Sequence, residues 1–487
     1  MSSVPECRIR VLKEAPWRET GEFVVYWMHA ARRLSFNFAL QRSVEVARVL
    51  QKPLVIVEEL TCGHRWDTLR SHKFALDGMR EKAEKLRASP VLYYPFVERR
   101  PGDANRLASV LARRACGIIT DDFPYVMLDN RAETLARICQ VRVEAVDSNG
   151  LLPLRATSIA FHTAHAFRRH VQATLLDHLS ARPAQAPLQR VKMPPAPAPL
   201  LREIFTRFPP AHDLILSGSE QRLLQLQINH SVGPVPLAGG ERNARMLLRR
   251  FIAEKLARYS ALRNHPDEDA GSGLSPYLHF GHISAHEVFF EVAEWEDWDP
   301  ELASPRRDGR RDWLGMSEAA EAFIDQLVTW RELAYNAAAH DPGCARYEGL
   351  PSWALRTLEK HRSDPRPMAY RPEQLEAGDT YDPLWNAAQR QLVLEGRIHN
   401  YVRMLWGKRM IEWSADPQEA FYALIELNNR YAIDGRNPNS YAGISWCFGR
   451  YDHPWPERPI FGSVRYMSSE RALHKVRARR YLERYGR

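Results

Sequence analysis

The stretch Pro183–Pro199, PAQAPLQRVKMPPAPAP, places six prolines in seventeen residues. Fixed φ angles and missing N–H groups suit it to an extended, semi-rigid connector and argue against a helix or a core strand. The chain changes character across it. Ahead of it, between residues 22 and 147, the short β-rich runs EFVVYWM, PLVIVEEL, VLYYPFV, GIITDD and VRVEAVD are separated by helix-length segments such as SHKFALDGMREKAEKLRAS. Strands alternating with helices predict βαβ units around a parallel, Rossmann-like sheet. No G-x-G-x-x-G or G-K-[ST] follows any of these strands, so the usual phosphate-loop signals are missing. Beyond about residue 210 the apolar period becomes helical. Ala244, Leu247, Leu248, Phe251 and Ile252 recur at i, i+3, i+4 spacing, as do Phe323, Leu327, Trp330 and Ala334. The expected division is an α/β domain over 1–180, a proline-rich linker over 181–210 and an all-α domain over 211–487.

Composition sets the outer bounds. The 487 residues carry 45% hydrophobic and 26% charged side chains, ordinary for a globular protein with a sizeable core. A net charge of +9 favours a polyanionic partner only mildly. The six cysteines lie far apart without a C-x-x-C, which argues against zinc, iron–sulfur clusters and disulfide frameworks and predicts a reducing, cytoplasmic setting. The polar N-terminus and the lack of an 18-residue apolar run predict no membrane span. From Arg465 to Arg487, eight Lys/Arg stand against two Glu, which reads as a solvated basic helix or a DNA contact.

Arg397–Trp413, RIHNYVRMLWGKRMIEW, asks for more than core packing. Trp406 and Trp413 are seven residues apart and so project from one side of a helix about 10 Å apart; four cations are interleaved with them. An aromatic core stripe beside a solvated face is the plain reading. Arg403, between Val402 and Met404, is the exception: a buried guanidinium needs a carboxylate or an anionic ligand. The loop LNNRYAIDGRNPNSYAGISW (427–446) offers Asp434 among turn residues. In GSGLSPYLHFGHIS (271–284), small hydroxyl-bearing residues before a helix suit phosphate, though an N-cap with Pro276 at the first helical position explains them equally well.

In order along the chain, GSGLSPYLHFG, WREL (330–333), YDPLWNAAQRQLV (381–393), IHNYVRMLWGKRMIEW, LNNRYAIDGRNPNSYAGISW and WPERPIFGSVRYM (455–467) resemble the flavin domain of DNA photolyases, the last three blocks those of class II. The resemblance covers roughly 240–467. It implies an α/β antenna domain followed by an all-α FAD-binding domain. Ser272, Gly273, Leu274 and Ser275 would line the FAD phosphates, with Tyr259 and Arg331 nearby. Arg403 would pair with Asp434 under the isoalloxazine, and Asn428 would face the flavin N5. Trp385, Trp406 and Trp413 match the family's electron-transfer chain from surface to flavin. Trp330 and Trp446, with Met404, Gln326 and Asn400 beside them, would hold a flipped pyrimidine dimer. The implied activity is that of a lyase: photoexcited FADH⁻ lends an electron to a cyclobutane pyrimidine dimer in double-stranded DNA and takes it back after the ring opens. A monomer without a metal site is expected.

Departures from the pattern are also visible. Gln326 stands where many relatives have glutamate, Asn400 where class II has glycine, and Asn437 and Ser440 alter D-P-N-G. YWMHAARRLSFNFAL lacks the acidic–amide pattern expected after the first strand, so the residues decide neither whether a second, antenna chromophore binds nor whether it is of deazaflavin or folate type. Two other functions compete. One is a cryptochrome-like photoreceptor that binds FAD but signals through a partner, against which the short tail after RYM speaks. The other is a helical nucleic-acid-binding protein without flavin.

Overall fold

Five buried, largely apolar runs form the centre of the N-terminal half. They are β2 (Phe23–Met28), β3 (Leu54–Leu60), β4 (Leu92–Val97), β5 (Ala115–Asp121) and β6 (Val143–Val146), preceded by β1 (Ile9–Lys13). In the computed structural model, which describes residues 3–486 except 190, 197, 213 and 215–219, they make one sheet of order β1-β6-β5-β2-β3-β4. β2 to β6 pair in parallel, and β1 adds an antiparallel edge to β6. The order of the parallel strands is the doubly wound, Rossmann-type order, with its switch point between β2 and β5. All five expected strands are present. β1 was not foreseen, because its half-exposed IRVLK has no continuous apolar run.

The switch-point crevice is occupied by the protein itself. The Asp121 carboxylate at the end of β5 accepts from the backbone N–H groups of His29, Ala30 and Ala31 and from the Tyr26 hydroxyl. The loop at Gly281 from the helical half closes over it, so near that a Cβ would come within 1.9 Å of the Ala30 carbonyl oxygen; only glycine, here at φ +69°, fits. Arg33 then donates to the Gly281 and Ser148 carbonyls, joining the halves.

Two elements cross the expected boundaries. The helix Ala164–Leu179 sends Phe167, Val171 and Leu175 into the core of the helical half, and its Arg168 forms a buried two-pronged ion pair with Asp325. The proline-rich stretch has no regular structure over the described residues of 181–196, but Ala198–Arg207 is a helix instead of connector. Pro199 is tolerated in its first turn, where a missing N–H breaks no bond. Ile204 and Phe208 pack on the sheet. Residues 190 and 197 of the expected linker lie outside the described residues.

Arg70, on the helix Leu69–Leu86, is another polar link between the halves. Its guanidinium donates to the carbonyls of Gly233, Leu392, Val393 and Tyr431, capping the C-terminal ends of the helices Pro383–Glu395 and Pro417–Tyr431. Among the described residues, no helix is long and apolar enough to cross a membrane.

The basic tail is not a free solvated helix. Arg479–Tyr485 buries Tyr481 and Tyr485 against Pro383–Glu395, where the Tyr481 hydroxyl bonds Gln391 and Arg484 pairs with Glu395.

Candidate active site

The helix Asn400–Trp413 runs through the middle of the C-terminal half and is buried on all sides from Leu405 to Ile411. Gly407 makes this possible. A Cβ there would meet the Cys447 sulfur at 2.5 Å, so glycine lets the helix press against Pro438–Cys447. The burial reverses one expectation from sequence. Arg403 is only half-buried and donates to the Ile398 carbonyl; no ion pair joins it to Asp434, whose carboxylate bonds the Ser275 hydroxyl instead. The buried cations are Lys408 and Arg409. Arg409 pairs with Asp382 at 2.8 Å and with Glu412. Lys408 has no carboxylate partner among the described residues and donates to the Cys447 carbonyl at the end of the neighbouring helix. Burial pulls its ammonium down to about 8.

Asp382 also builds the aromatic ladder. Its carboxylate accepts from the N–H groups of Leu384 and Trp385, starting Pro383–Glu395 with proline at the first position. Trp385 is thereby set edge-to-face against Trp413, centroids 5.2 Å apart, and its indole N–H reaches the Trp406 carbonyl at 2.9 Å. The Trp406 indole N–H donates to Gln389 Oε1 at 3.0 Å. Trp413 and Trp385 are thus in ring contact, and Trp385 is joined to Trp406 through the Trp406 main-chain carbonyl, in the order Trp413, Trp385, Trp406. Trp413 is not itself at the surface: it is 2% exposed, beneath Tyr370 and the 52% exposed Tyr381.

Trp330 and Trp446 come together at the half-open edge of the bundle. Their rings stack with centroids 4.5 Å apart and planes at 12°. Trp330 ends a π-helical turn, Asp325–Trp330, that interrupts the helical run Glu318–His340 and carries Gln326. Such insertions re-aim the side chains that follow them and cluster at functional sites. The turn is anchored by the Arg168–Asp325 pair on one side. On the other, Glu332 accepts from the N–H groups of Leu151 and Leu152 and is pushed by burial to about 7. Met404 is half-buried, whereas Asn400 is exposed.

The remaining expected site residues fall into two groups. Ser272, Gly273 and Ser275 retain access to solvent; Leu274 is buried, Gly273 takes φ +70°, and Ser275 is tied to Asp434. Asn428 is 6% exposed, with its amide toward Asn429. Tyr259 lies among Phe251 and Phe323. Arg331 packs over Tyr335 at 4.3 Å in a cleft shared with Leu278 and His279, and its buried Nη1 has no partner among the described residues. Asn437 caps Pro438–Cys447 and bonds His279 and Tyr335, which accounts for an amide in place of the aspartate of the usual pattern.

Gln389, Asp382 and Lys408 build the site without being among the residues expected from the sequence. Asp382 carried a signal, Asp-Pro ahead of an apolar run; the other two carried none.

No family model matches the chain. Among known proteins it is 32% identical to the deoxyribodipyrimidine photo-lyase of Methanothermobacter thermautotrophicus, over 98% of this chain and 97% of that protein. It is 31% identical to the enzyme of that name from Potorous tridactylus, over 95% and 81%. The Arabidopsis thaliana enzyme is 29% identical, over 99% and 92%. Two solved structures share the fold at TM-score 0.65 and 17% identity. They are a class III photolyase from Agrobacterium tumefaciens (96% of this chain, 86% of that one) and a cryptochrome from Synechocystis (97% and 89%).

Proposed function

The chain belongs to the deoxyribodipyrimidine photo-lyase family and is an enzyme of that kind, and we propose that it is a class II enzyme that repairs cyclobutane pyrimidine dimers in double-stranded DNA using light and bound FAD. One observation carries this reading: the Trp330–Trp446 pair stands at the open edge of the same bundle that encloses the tryptophan ladder. A lesion stacked on the pair and a flavin beside the ladder would then be neighbours.

The residues present fit FAD. The unpartnered, buried Arg331 Nη1 calls for an anion or another acceptor, and Ser272 and Ser275 add accessible hydroxyls. Asn428 offers an amide that can donate or accept without titrating. Bound flavin supplies light absorption and one-electron chemistry. This chain's own residues bind, orient and shield. Trp330 and Trp446 stack on the extruded bases, each stack contributing about 1–3 kcal/mol. Extrusion favours a lesion because its damaged bases are the easiest to unstack. Gln326 donates an N–H to a pyrimidine carbonyl but supplies no proton. Trp406, Trp385 and Trp413 relay electrons from the protein exterior.

The test is illumination of the reduced protein with dimer-containing duplex and measurement of restored thymines. Flavin-bound protein that leaves dimers intact would favour a photoreceptor. Protein that takes up no flavin would defeat both readings.

A further inference from the structure

The ladder's three indole N–H groups are not treated alike. Trp385 donates to a main-chain carbonyl, and Trp406 donates to Gln389, a side chain with no measurable exposure. Trp413 Nε1 is buried with no hydrogen-bond partner among the described residues. The orientation of the Gln389 amide follows from its surroundings. An indole nitrogen only donates and the Glu376 carbonyl only accepts, so Oε1 must face Trp406 while Nε2 donates to Glu376 at 3.1 Å.

That choice of acceptor has a chemical consequence. Removing an electron from an indole makes its N–H acidic, and a basic neighbour would take the proton and leave a neutral radical. An amide oxygen is not basic. It holds the proton on nitrogen, and the negative end of its dipole, in a dry interior, stabilises the positive charge. We propose that Gln389 is a positioning residue for charge transfer, keeping the Trp406 proton on its nitrogen so that the positive charge formed there moves on to Trp385 and Trp413 as a cation. This rests on the ladder reading above. The electrons balance. Trp406 gives up one electron to the light-excited flavin, Trp385 refills Trp406, Trp413 refills Trp385, and a thiol in solution refills Trp413. No N–H bond breaks at Trp406.

The test compares wild type, Gln389→Leu and Gln389→Glu. In ¹⁵N-tryptophan-labelled protein without flavin, the Trp406 indole N–H, assigned with Trp406→Phe, should exchange slowly in wild type. In Gln389→Leu it should shift and exchange faster. In flash absorption of the flavin-bound proteins, wild type should show the tryptophan radical cation. Gln389→Leu should slow formation of the cation at Trp406 roughly five- to tenfold, as expected for losing one neutral hydrogen bond that stabilises it. Gln389→Glu should restore the wild-type rate at low pH, where the acid carbonyl accepts. At high pH, where the carboxylate takes the proton, it should give the neutral radical, with a solvent deuterium effect. An indole signal and a flash time course unchanged in both variants would overturn the proposal. Should wild type give no tryptophan radical at all, the ladder itself is wrong and Gln389 has no such role; a normal wild type with a normal Gln389→Leu removes only the role of Gln389.

Discussion

Trp330 and Trp446 stack on one another, ring centroids 4.5 Å apart and planes 12° from parallel. No third ring fits between them, so a flipped base would bind on an outer face or after the pair parts, at a loss of about 0.5–1.5 kcal/mol. Trp446→Ala should weaken binding to dimer-containing duplex by about 1–3 kcal/mol, or roughly 5- to 150-fold, with little change on undamaged duplex. Titration of the two DNAs checks this, and equal losses on both would refute the stacking role.

Trp413 closes the outer end of the ladder at 5.2 Å from Trp385. Trp413→Phe should slow light-driven reduction of the oxidised flavin at least tenfold (~1.4 kcal/mol) while chemically reduced protein still repairs at nearly the wild-type rate. Photoreduction at the wild-type rate would remove Trp413 from the chain.

Lys408 is a buried ammonium facing one carbonyl. Burial lowers its pKa from 10.5 to about 8. Between those values the unfolded chain binds the proton and the folded chain does not, so this group makes stability rise with pH across that window. Lys408→Met should therefore be more stable than wild type at pH 7, on the order of 2 kcal/mol after allowing for the orphaned carbonyl. The difference should shrink toward pH 10.5. Denaturant midpoints from pH 7 to 10.5 test this; a variant that is less stable throughout would contradict it.

Arg168 and Asp325 form a buried two-pronged pair behind the π turn. Arg168→Met leaves the Asp325 carboxylate short of its main partner and should destabilise the protein by about 3–5 kcal/mol. The double variant with Asp325→Leu should recover much of that loss. Thermal melts of the single and double variants decide it.

Gln326, on the same turn, is half-buried. Gln326→Glu should preserve or raise the repair yield per absorbed photon, since a carboxylic acid can donate the same hydrogen bond and also a proton. A collapse in yield would mean the pocket is built around an amide.

Much of the fold is legible in the sequence because β2 to β6 are buried on both faces and appear as largely apolar runs, with acidic residues such as Glu58, Glu59 and Glu144 as the exceptions. β1 escapes notice since an edge strand facing water has no such run. At the site the aromatic residues could be read from their order along the chain, but the cations could not. Arg403 has apolar neighbours in sequence, yet adjacent residues on a helix point to different faces. What buries a charge is the partner across the interface. Arg409 meets Asp382 from another helix, and Lys408 meets a backbone carbonyl, which no side-chain pattern encodes. The π turn is equally silent, because one additional residue per turn leaves the apolar period almost unchanged.

Arg70 ends two helices with one guanidinium. One of those helices begins at Trp385's own first turn and the other includes Asn428. The sheet is therefore bolted to the bundle at the elements that hold its chemistry. A dye fixed to the strands and another fixed to the helices would report one narrow distribution of separations.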